Sequence, residues 1–257
     1  MMVRPFPGPL FPAAAFLLLA VVAGPVAAVL VTVMPQAAGE GLWAAQDALR
    51  TSLVASIGAT LAATILGVPA GYFLSRMQVH LRALAVFVLA LPLAFPPVAS
   101  GLMLIYVFGT RSPLGALLAQ GGFRVPDSIL GVGLAEFFVS GSFVAIAATA
   151  AFGALNPIAE DAARTLGANE WRIFSRVALP NAAGNLAAGV GFAWLRAIGE
   201  YGATSIVAFH PTSLPVALYV TLSASGVRAA LALCYGFIVL VTIVLGVTWV
   251  LRRGVVM

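Results

Sequence analysis

Long apolar segments and short polar connections alternate along the whole chain. A helix needs about 20 predominantly apolar residues to cross the hydrocarbon core of a bilayer. Segments of this length predict about six transmembrane helices, at residues 11–33, 52–74, 83–107, 128–152, 179–208 and 230–251. No internal repeat or low-complexity linker divides them. We therefore expect an all-α membrane protein, a polytopic bundle in one transmembrane domain (1–257), with an N-terminal helix and a core bundle over 52–251.

The composition favours the same conclusion. Hydrophobic residues make up 62% of the chain and charged residues 8%, whereas soluble domains carry about 25% charged residues. The mean hydropathy is +1.08. The net charge of +5 then indicates orientation and contact with anionic lipid head groups, and a nucleic-acid partner is not expected.

The first apolar segment could instead be a signal peptide, because Arg4 precedes it and the small residues Ala27 and Ala28 could form a cleavage site. The apolar run continues to Val33, however, and a signal-peptide core has only about 7–15 residues. We expect a retained first helix.

The arginines predict the orientation. With a cytoplasmic N-terminus, eight of them flank the spans on the inner side, namely Arg4, Arg76, Arg82, Arg164, Arg172, Arg176, Arg252 and Arg253. Four flank the spans on the outer side, namely Arg50, Arg111, Arg124 and Arg228. Because cytoplasmic loops carry the excess of positive charge, we expect both termini and the loop at 156–180 in the cytoplasm.

That loop carries the signals of a helical hairpin. Asn156 and Pro157 suit a helix N-cap and first position, and Glu160 lies in the first turn, where the helix dipole favours negative charge. Gly167 can take the left-handed conformation that ends such a helix, and Asn169 can cap the next one. The second helix should run towards Pro180.

The loop resembles the EAA signature of permease subunits in binding-protein-dependent ABC importers, written EAA, three residues, Gly, nine residues, Ile, one residue, Leu-Pro. The seven matching positions are Asp161, Ala162, Ala163, Gly167, Val177, Leu179 and Pro180. Asp161 replaces the signature Glu, and Val177 replaces the Ile. The resemblance implies an ATPase-coupling surface at Glu160, Asp161, Ala162, Ala163, Arg164, Gly167, Ala168, Trp171, Leu179 and Pro180.

The same resemblance implies the assembly. Two ABC ATPase subunits would dock from the cytoplasm, and an extracytoplasmic substrate-binding protein would dock from outside. A second permease copy or a similar paralogue would complete the pathway in the prokaryotic inner membrane. Transport would follow alternating access.

Covalent chemistry is not expected of this chain. It contains no lysine, so the usual phosphate-binding GxxxxGK[ST] loop cannot occur and ATP hydrolysis must belong to a separate subunit. An intramembrane enzyme is a remote alternative, because the serines within the spans lack a histidine or lysine that could act as a base. His80, His210 and Cys234 have no partners at ligand spacing, so we expect neither metal nor cofactor.

Two segments within the spans are unusual for lipid-facing helices. Prolines 92, 96 and 97 cluster beside Ser100 and remove backbone donors at membrane depth, where only neighbours or a water-filled cavity can satisfy the carbonyls. We expect Pro96, Pro97 and Ser100 to face a translocation path. A structural kink is the alternative.

The second segment is Trp194 to Thr204, where Arg196 and Glu200 are spaced to share a helix face. We expect a polar gate at Arg196, Glu200, Tyr201 and Thr204. The alternative is a structural ion pair. Glu136 lies alone in the fourth span and is interpreted as an interior carboxyl that needs a donor, for which Arg196 is one candidate.

The cargo is predicted from resemblance alone. Residues 91–115 and 196–222 look like the corresponding parts of molybdate, tungstate and sulfate permeases, so the resemblance implies a tetrahedral oxyanion. The outer segment Phe209 to Pro215 is shorter than is usual in molybdate permeases. Phosphonate, ferric iron and polyamine remain the alternatives.

Overall fold

The computed structural model describes residues 10–33, 39, 41 and 43–255. Its described elements are helices, which confirms the all-α class. They are α1 (Leu10–Thr32), α2 (Gln46–Ser75), α3 (Val79–Ala94), α4 (Pro97–Phe108), α5 (Pro113–Gln120), α6 (Ile129–Gly153), α7 (Ile158–Thr165), α8 (Glu170–Ile173), a π-helical turn (Phe174–Ala178), α9 (Leu179–Ile198), α10 (Gly202–Val207) and α11 (Leu214–Val255). Arg4, used in the orientation argument, lies outside the described residues.

Within the described residues, four helices are long and apolar enough to span a membrane, namely α1, α2, α6 and α11. The bent pair α3 and α4 makes a fifth if it counts as one span. This number is roughly consistent with the predicted six.

The third predicted segment, 83–107, is not one helix. It breaks between α3 and α4, whose axes differ in direction by 106°. Phe95 and Pro96 have extended ψ angles of 144° and 135°. Each precedes a proline, and the proline ring disfavours the α conformation of the residue before it.

The last two predicted segments also differ from the structure. The fifth, 179–208, divides where α9 ends at Ile198 and α10 begins at Gly202. The sixth begins at Leu214 instead of residue 230, because the hydroxyl of Ser52 accepts a hydrogen bond of 2.7 Å from the first amide of α11. Gly226, with φ +82°, interrupts α11.

The chain divides into two compact units, one of residues 1–45 and 218–242, the other of residues 46–217 and 243–257. In the first unit, no residue of α1 from Phe11 to Thr32 is buried. The single-domain interpretation stays a prediction.

The second unit is built on close contact between α2 and α6. A Cβ added to Gly67 would meet Val144, and one added to Gly71 would meet Ala148, so contacts advance together along both helices. The two helices are therefore parallel. In lipid, where burial of apolar surface supplies little drive, small residues stabilise helix pairs by allowing such close packing.

Gly71→Ala should destabilise this pair. The new Cβ would lie 2.4 Å from Ala148 Cβ and 2.8 Å from the Thr149 amide, and backbone atoms cannot move aside cheaply. Overpacking of this kind costs about 1–3 kcal/mol. We expect a lower melting temperature in detergent for Gly71→Ala. The matched control, Gly58→Ala on the same helix, has nothing within 4 Å; equal melting temperatures would contradict the packing argument.

Candidate functional site

The polar loop forms the predicted helical hairpin, and local hydrogen bonds define its turn. Asn156 Oδ1 accepts from the Ile158 amide at 3.1 Å, close to the start of α7. At its end, Gly167 has φ +80°, the Ala168 amide donates to Ala163 O at 3.0 Å, and the Gly167 amide donates to Arg164 O at 2.9 Å. This pair of bonds is the Schellman motif, so Gly167 has the conformation predicted for it.

The second arm of the hairpin begins as predicted and ends differently. Asn169 Oδ1 accepts from the Arg172 amide at 2.9 Å and caps α8. The helix does not stop near Pro180; a wide π turn carries it into α9. The turn accommodates a proline that has no amide to donate, and Asn181 Nδ2 donates to Val177 O at 2.8 Å. Hairpin and fifth predicted span are thus mechanically continuous.

Glu160 faces inward, where it holds the hairpin to the bundle. Its side chain is 3% exposed and pairs with Arg76, which follows the last turn of α2. Arg76 Nη2 contacts Oε1, and Arg76 Nε donates to Oε2 at 3.2 Å. Arg76 Nη1 also donates to Phe152 O, at 3.3 Å, near the end of α6. Tyr72 donates a long hydrogen bond of 3.4 Å to Glu160 Oε2.

A second ionic group joins the two arms on the exposed side. Arg164 Nε lies 2.9 Å from Glu170 Oε1, and Arg164 Nη1 lies 2.9 Å from Asp161 Oδ1. The hydrogen bond from Arg164 holds the pKa of the Glu170 carboxyl below its usual value. The pair therefore stabilises the folded hairpin at pH values above the usual pKa of a glutamate. This contribution is lost as the pH falls through the lower pKa that Glu170 has in the folded state.

Aromatic rings continue from the hairpin into the core. Trp171 is 70% exposed, and its ring centroid lies 5.6 Å from that of Phe174. Phe174 in turn lies 5.1 Å from Tyr72, and Tyr72 lies 5.2 Å from Phe152. A ring at the surface thus contacts α2 and α6 through rigid side chains.

The outward side of the hairpin exposes large apolar residues among charges. Leu166 is 89% exposed and Ile158 70% exposed, although both lie in a polar segment. Several of the predicted coupling residues are exposed as well, namely Asp161, Ala162, Gly167, Trp171 and Pro180. The half-buried ones are Ala163, Ala168 and Leu179. Of the predicted coupling residues, Glu160 alone is buried.

Sequence reasoning missed Arg76, Ile158 and Leu166 as members of this site. Leu166 lies directly before Gly167 of the quoted signature and Ile158 lies three residues before Asp161, and both carry an apolar signal that could have been noticed. The sequence assigned Arg76 only to the predicted cytoplasmic side and could not pair it with Glu160, because 84 residues of sequence separate the two.

At the broken helices, α4 packs against α10. A Cβ added to Gly202 would lie 2.5 Å from Pro97 Cβ, and one added to Gly101 would lie 2.8 Å from Ile206 Cβ. Pro96 and Pro97 are exposed, whereas Ser100 and Thr204 are buried. Neither hydroxyl finds a hydrogen-bond partner among the residues that the structure describes.

Arg196 and Glu200 do meet, across the end of α9. Arg196 Nη1 lies 2.6 Å from Glu200 Oε2, an ion pair whose angles do not suit a hydrogen bond. Glu200 is 1% exposed, and its Oε1 accepts from the Ala203 amide at 3.0 Å, in the first turn of α10. The carboxylate therefore bridges the break. Tyr201, the third predicted gate residue, is half-buried in that break.

Glu136 is fully buried in α6, close in sequence to buried Ser140. Neither carboxyl oxygen of Glu136 has a hydrogen-bond partner within the described part of the chain. The suggested donor, Arg196, is paired with Glu200.

Comparison with known proteins identifies several relatives. The chain is 38% identical over 183 residues to a probable molybdenum ABC transporter permease protein of Haloferax volcanii, covering 71% of this chain and 66% of that protein. It is 38% identical over 162 residues to a sulfate transport system permease protein of Synechocystis sp., covering 63% and 59%. It is 32% identical over 206 residues to a molybdate/tungstate transport system permease protein of Thermococcus kodakarensis, covering 80% and 77%. The chain thus spans less than two thirds of the length of the first two relatives.

Solved structures share the fold. The inward-facing MetNI methionine ABC transporter superposes with a TM-score of 0.67 at 15% identity, covering 83% of this chain and 97% of that chain. A bacterial ABC transporter that imports the polysaccharide alginate superposes with a TM-score of 0.70 at 14% identity, covering 95% and 93%.

A family model matches most of the chain. The match extends over residues 63–252 and includes the hairpin, both broken helices and the α2–α6 contact. The chain belongs to the family of inner membrane components of binding-protein-dependent transport systems.

Proposed function

We propose that this chain is the permease subunit of an ATP-driven ABC importer that moves a tetrahedral oxyanion into the cytoplasm. The observation that carries the proposal is the hairpin of α7 and α8. It presents exposed apolar side chains, is held to the bundle by a buried ion pair, and runs without interruption into α9. A partner that grips such a hairpin can move α9, which packs against α6 and α2.

The partner is an ABC ATPase subunit. Leu166, Ile158 and Trp171 are large apolar groups exposed at a polar surface. Tryptophan is enriched among the central anchors of protein interfaces, and the two aliphatic side chains add apolar area that a partner can bury. Asp161 and Arg164 surround them with charge that can orient the partner. Because this chain has no lysine for a phosphate-binding loop, the ATPase subunit performs the hydrolysis.

The membrane pathway lies at the broken helices, shared with a second permease copy. Irregular backbone at membrane depth is tolerated where it is buried in protein or lines a cavity. The breaks between α3 and α4 and between α9 and α10 contact each other through Pro97 and Gly202. Opening and closing would follow from rigid-body motion of two copies as the ATPases bind and hydrolyse ATP.

The outer side offers a place for the substrate-binding protein. A cleft of about 520 Å³ lies between the end of α4 and the start of α5, with Tyr106, Thr110, Arg111 and Pro126 in its lining. In the predicted orientation it faces away from the cytoplasm, and both chain termini lie inside.

The oxyanion assignment rests on the relatives, whose names include molybdenum, sulfate and molybdate/tungstate. Fixed cations at membrane depth are few, since Arg196 is already paired with Glu200. Selectivity then resides in the binding protein, and the permease supplies a weakly binding path that releases the ion. Phosphonate, ferric iron and polyamine are the alternative cargoes.

Gly167→Val should disrupt ATPase docking. A β-branched residue at φ +80° is strained by about 1–3 kcal/mol, so the turn between α7 and α8 should rearrange while the spans still insert. We expect normal membrane levels, loss of the co-purifying ATPase and loss of transport. Gly167→Asn is the control, because Asn tolerates the left-handed conformation; wild-type assembly of Gly167→Val would refute the prediction.

Arg196 and Glu200 should behave as one unit. Replacing either alone leaves a charge without its partner beside a break in the backbone, whereas replacing both removes the imbalance. We expect Arg196→Met and Glu200→Gln each to lower the melting temperature, and the double variant to lower it less than the sum. The coupling should amount to roughly 0.5–3 kcal/mol. Additive effects would assign the two residues different partners.

The cargo is tested by reconstitution in liposomes with the cognate ATPase and the cognate binding protein. Molybdate, tungstate or sulfate should stimulate ATP hydrolysis and be taken up only when the binding protein is present. The permease alone should show little oxyanion affinity. If the binding protein captures ferric iron, a polyamine or a phosphonate and ignores all three oxyanions, the cargo is wrong and the importer assignment stands.

A further inference from the structure

We propose that Arg76 is a positioning residue through which movement of the hairpin is transmitted to the α2–α6 pair. The inference rests on the proposed importer function. Arg76 lies just beyond the end of α2, and its guanidinium is engaged in three directions. It grips both oxygens of Glu160 in α7, donates to Phe152 O at 3.3 Å near the end of α6, and lies 5.2 Å from the centre of the Tyr72 ring in α2. One side chain therefore joins three elements.

The contact differs from an ordinary surface ion pair. Exposed pairs contribute little because water and salt screen them. Here the Glu160 side chain is 3% exposed and that of Arg76 32%, so the carboxylate depends on its partner for solvation. Arg164, 3.8 Å away, is a weaker second cation. Removing Arg76 would leave a largely uncompensated buried charge.

The geometry suits transmission as well as attachment. Covalently, α7 reaches α6 through residues 154–157 and never connects directly to α2. Arg76 and the ring contacts of Tyr72 with Phe174 supply a direct route from the hairpin to α2, beside the packing of α9 on α2. Because α2 and α6 pack too tightly to slide past each other at Gly71, a displacement of Glu160 would move both helices together. A lysine would keep the charge and lose the fork that reaches both Glu160 and Phe152 O.

The test separates transmission from structural support. Arg76→Met, Glu160→Met and the double variant are reconstituted as full complexes with the ATPase and binding protein, beside Arg76→Lys. Arg176→Ala removes an exposed arginine of the same surface and is the matched control. Measured quantities are the melting temperature, the ATPase retained on purification, the basal hydrolysis, its stimulation by molybdate-loaded binding protein and the molybdate uptake.

Replacing a buried ion pair by apolar residues of similar size is often neutral for stability. The double variant should therefore recover the melting temperature of the wild type, and its stimulation and uptake are compared with wild type per bound ATPase. Its stimulation and uptake should stay roughly tenfold or more below wild type, within the usual range of coupling energies. Arg76→Lys should retain the ATPase and lose most stimulation, whereas Arg176→Ala should behave as wild type.

Three results would overturn the proposal. First, stimulation and uptake could recover together with the melting temperature in the double variant, and the ion pair would then be purely structural. Wild-type stimulation in Arg76→Lys would show that the fork is unnecessary. Loss of the bound ATPase in a stable double variant would make Arg76 a docking support only. A wild-type complex without stimulation by any of molybdate, tungstate or sulfate would instead count against the proposed cargo.

Discussion

Hydrocarbon offers no hydrogen-bond partner to a peptide group, and this constraint governs the breaks after α3 and after α9. The break after α3 occurs at adjacent prolines, which have no amide to leave unpaired, and the Phe95 amide still donates to Leu91 O at 3.1 Å. At the break after α9, Glu200 accepts from the Ala203 amide. Irregular backbone thus appears where side-chain chemistry or proline removes the cost of the break.

The same medium determines how the helices associate. Since lipid is as apolar as a leucine side chain, helix pairs gain from contact area and close approach. Gly67 and Gly71 allow α2 to lie against Val144 and Ala148 of α6. Tight packing over this length makes the pair a rigid element, so a force applied at one end moves both helices together.

The hairpin follows different rules because it lies outside the spans. Its helices are short, and isolated short helices are marginal in water. The bond from the Ile158 amide to Asn156, the cap at Asn169, the Schellman turn at Gly167 and the ion pairs of Arg164 supply the local order. The N-cap position of α7 is Pro157, not the predicted Asn156. Glu160 and the aromatic rings then fix the hairpin to the bundle. Its exposed face can meet a soluble partner while its buried face follows the membrane helices.

Sequence by itself determined the helical membrane class, the hairpin with its cap at Asn169, and the pairing of Arg196 with Glu200, because each depends on length, composition or residues within one or two helical turns. Tertiary structure decided which side of α7 is buried, and so separated Glu160 from Asp161 although they are adjacent. It also decided the 106° bend after α3 and the start of α11 at Leu214, whose amide donates to the Ser52 hydroxyl of α2. The partner of Glu160 was beyond sequence reasoning, because Arg76 approaches it only when α2, α6 and α7 pack together, and no local pattern encodes a contact between residues that the chain separates by four intervening helices.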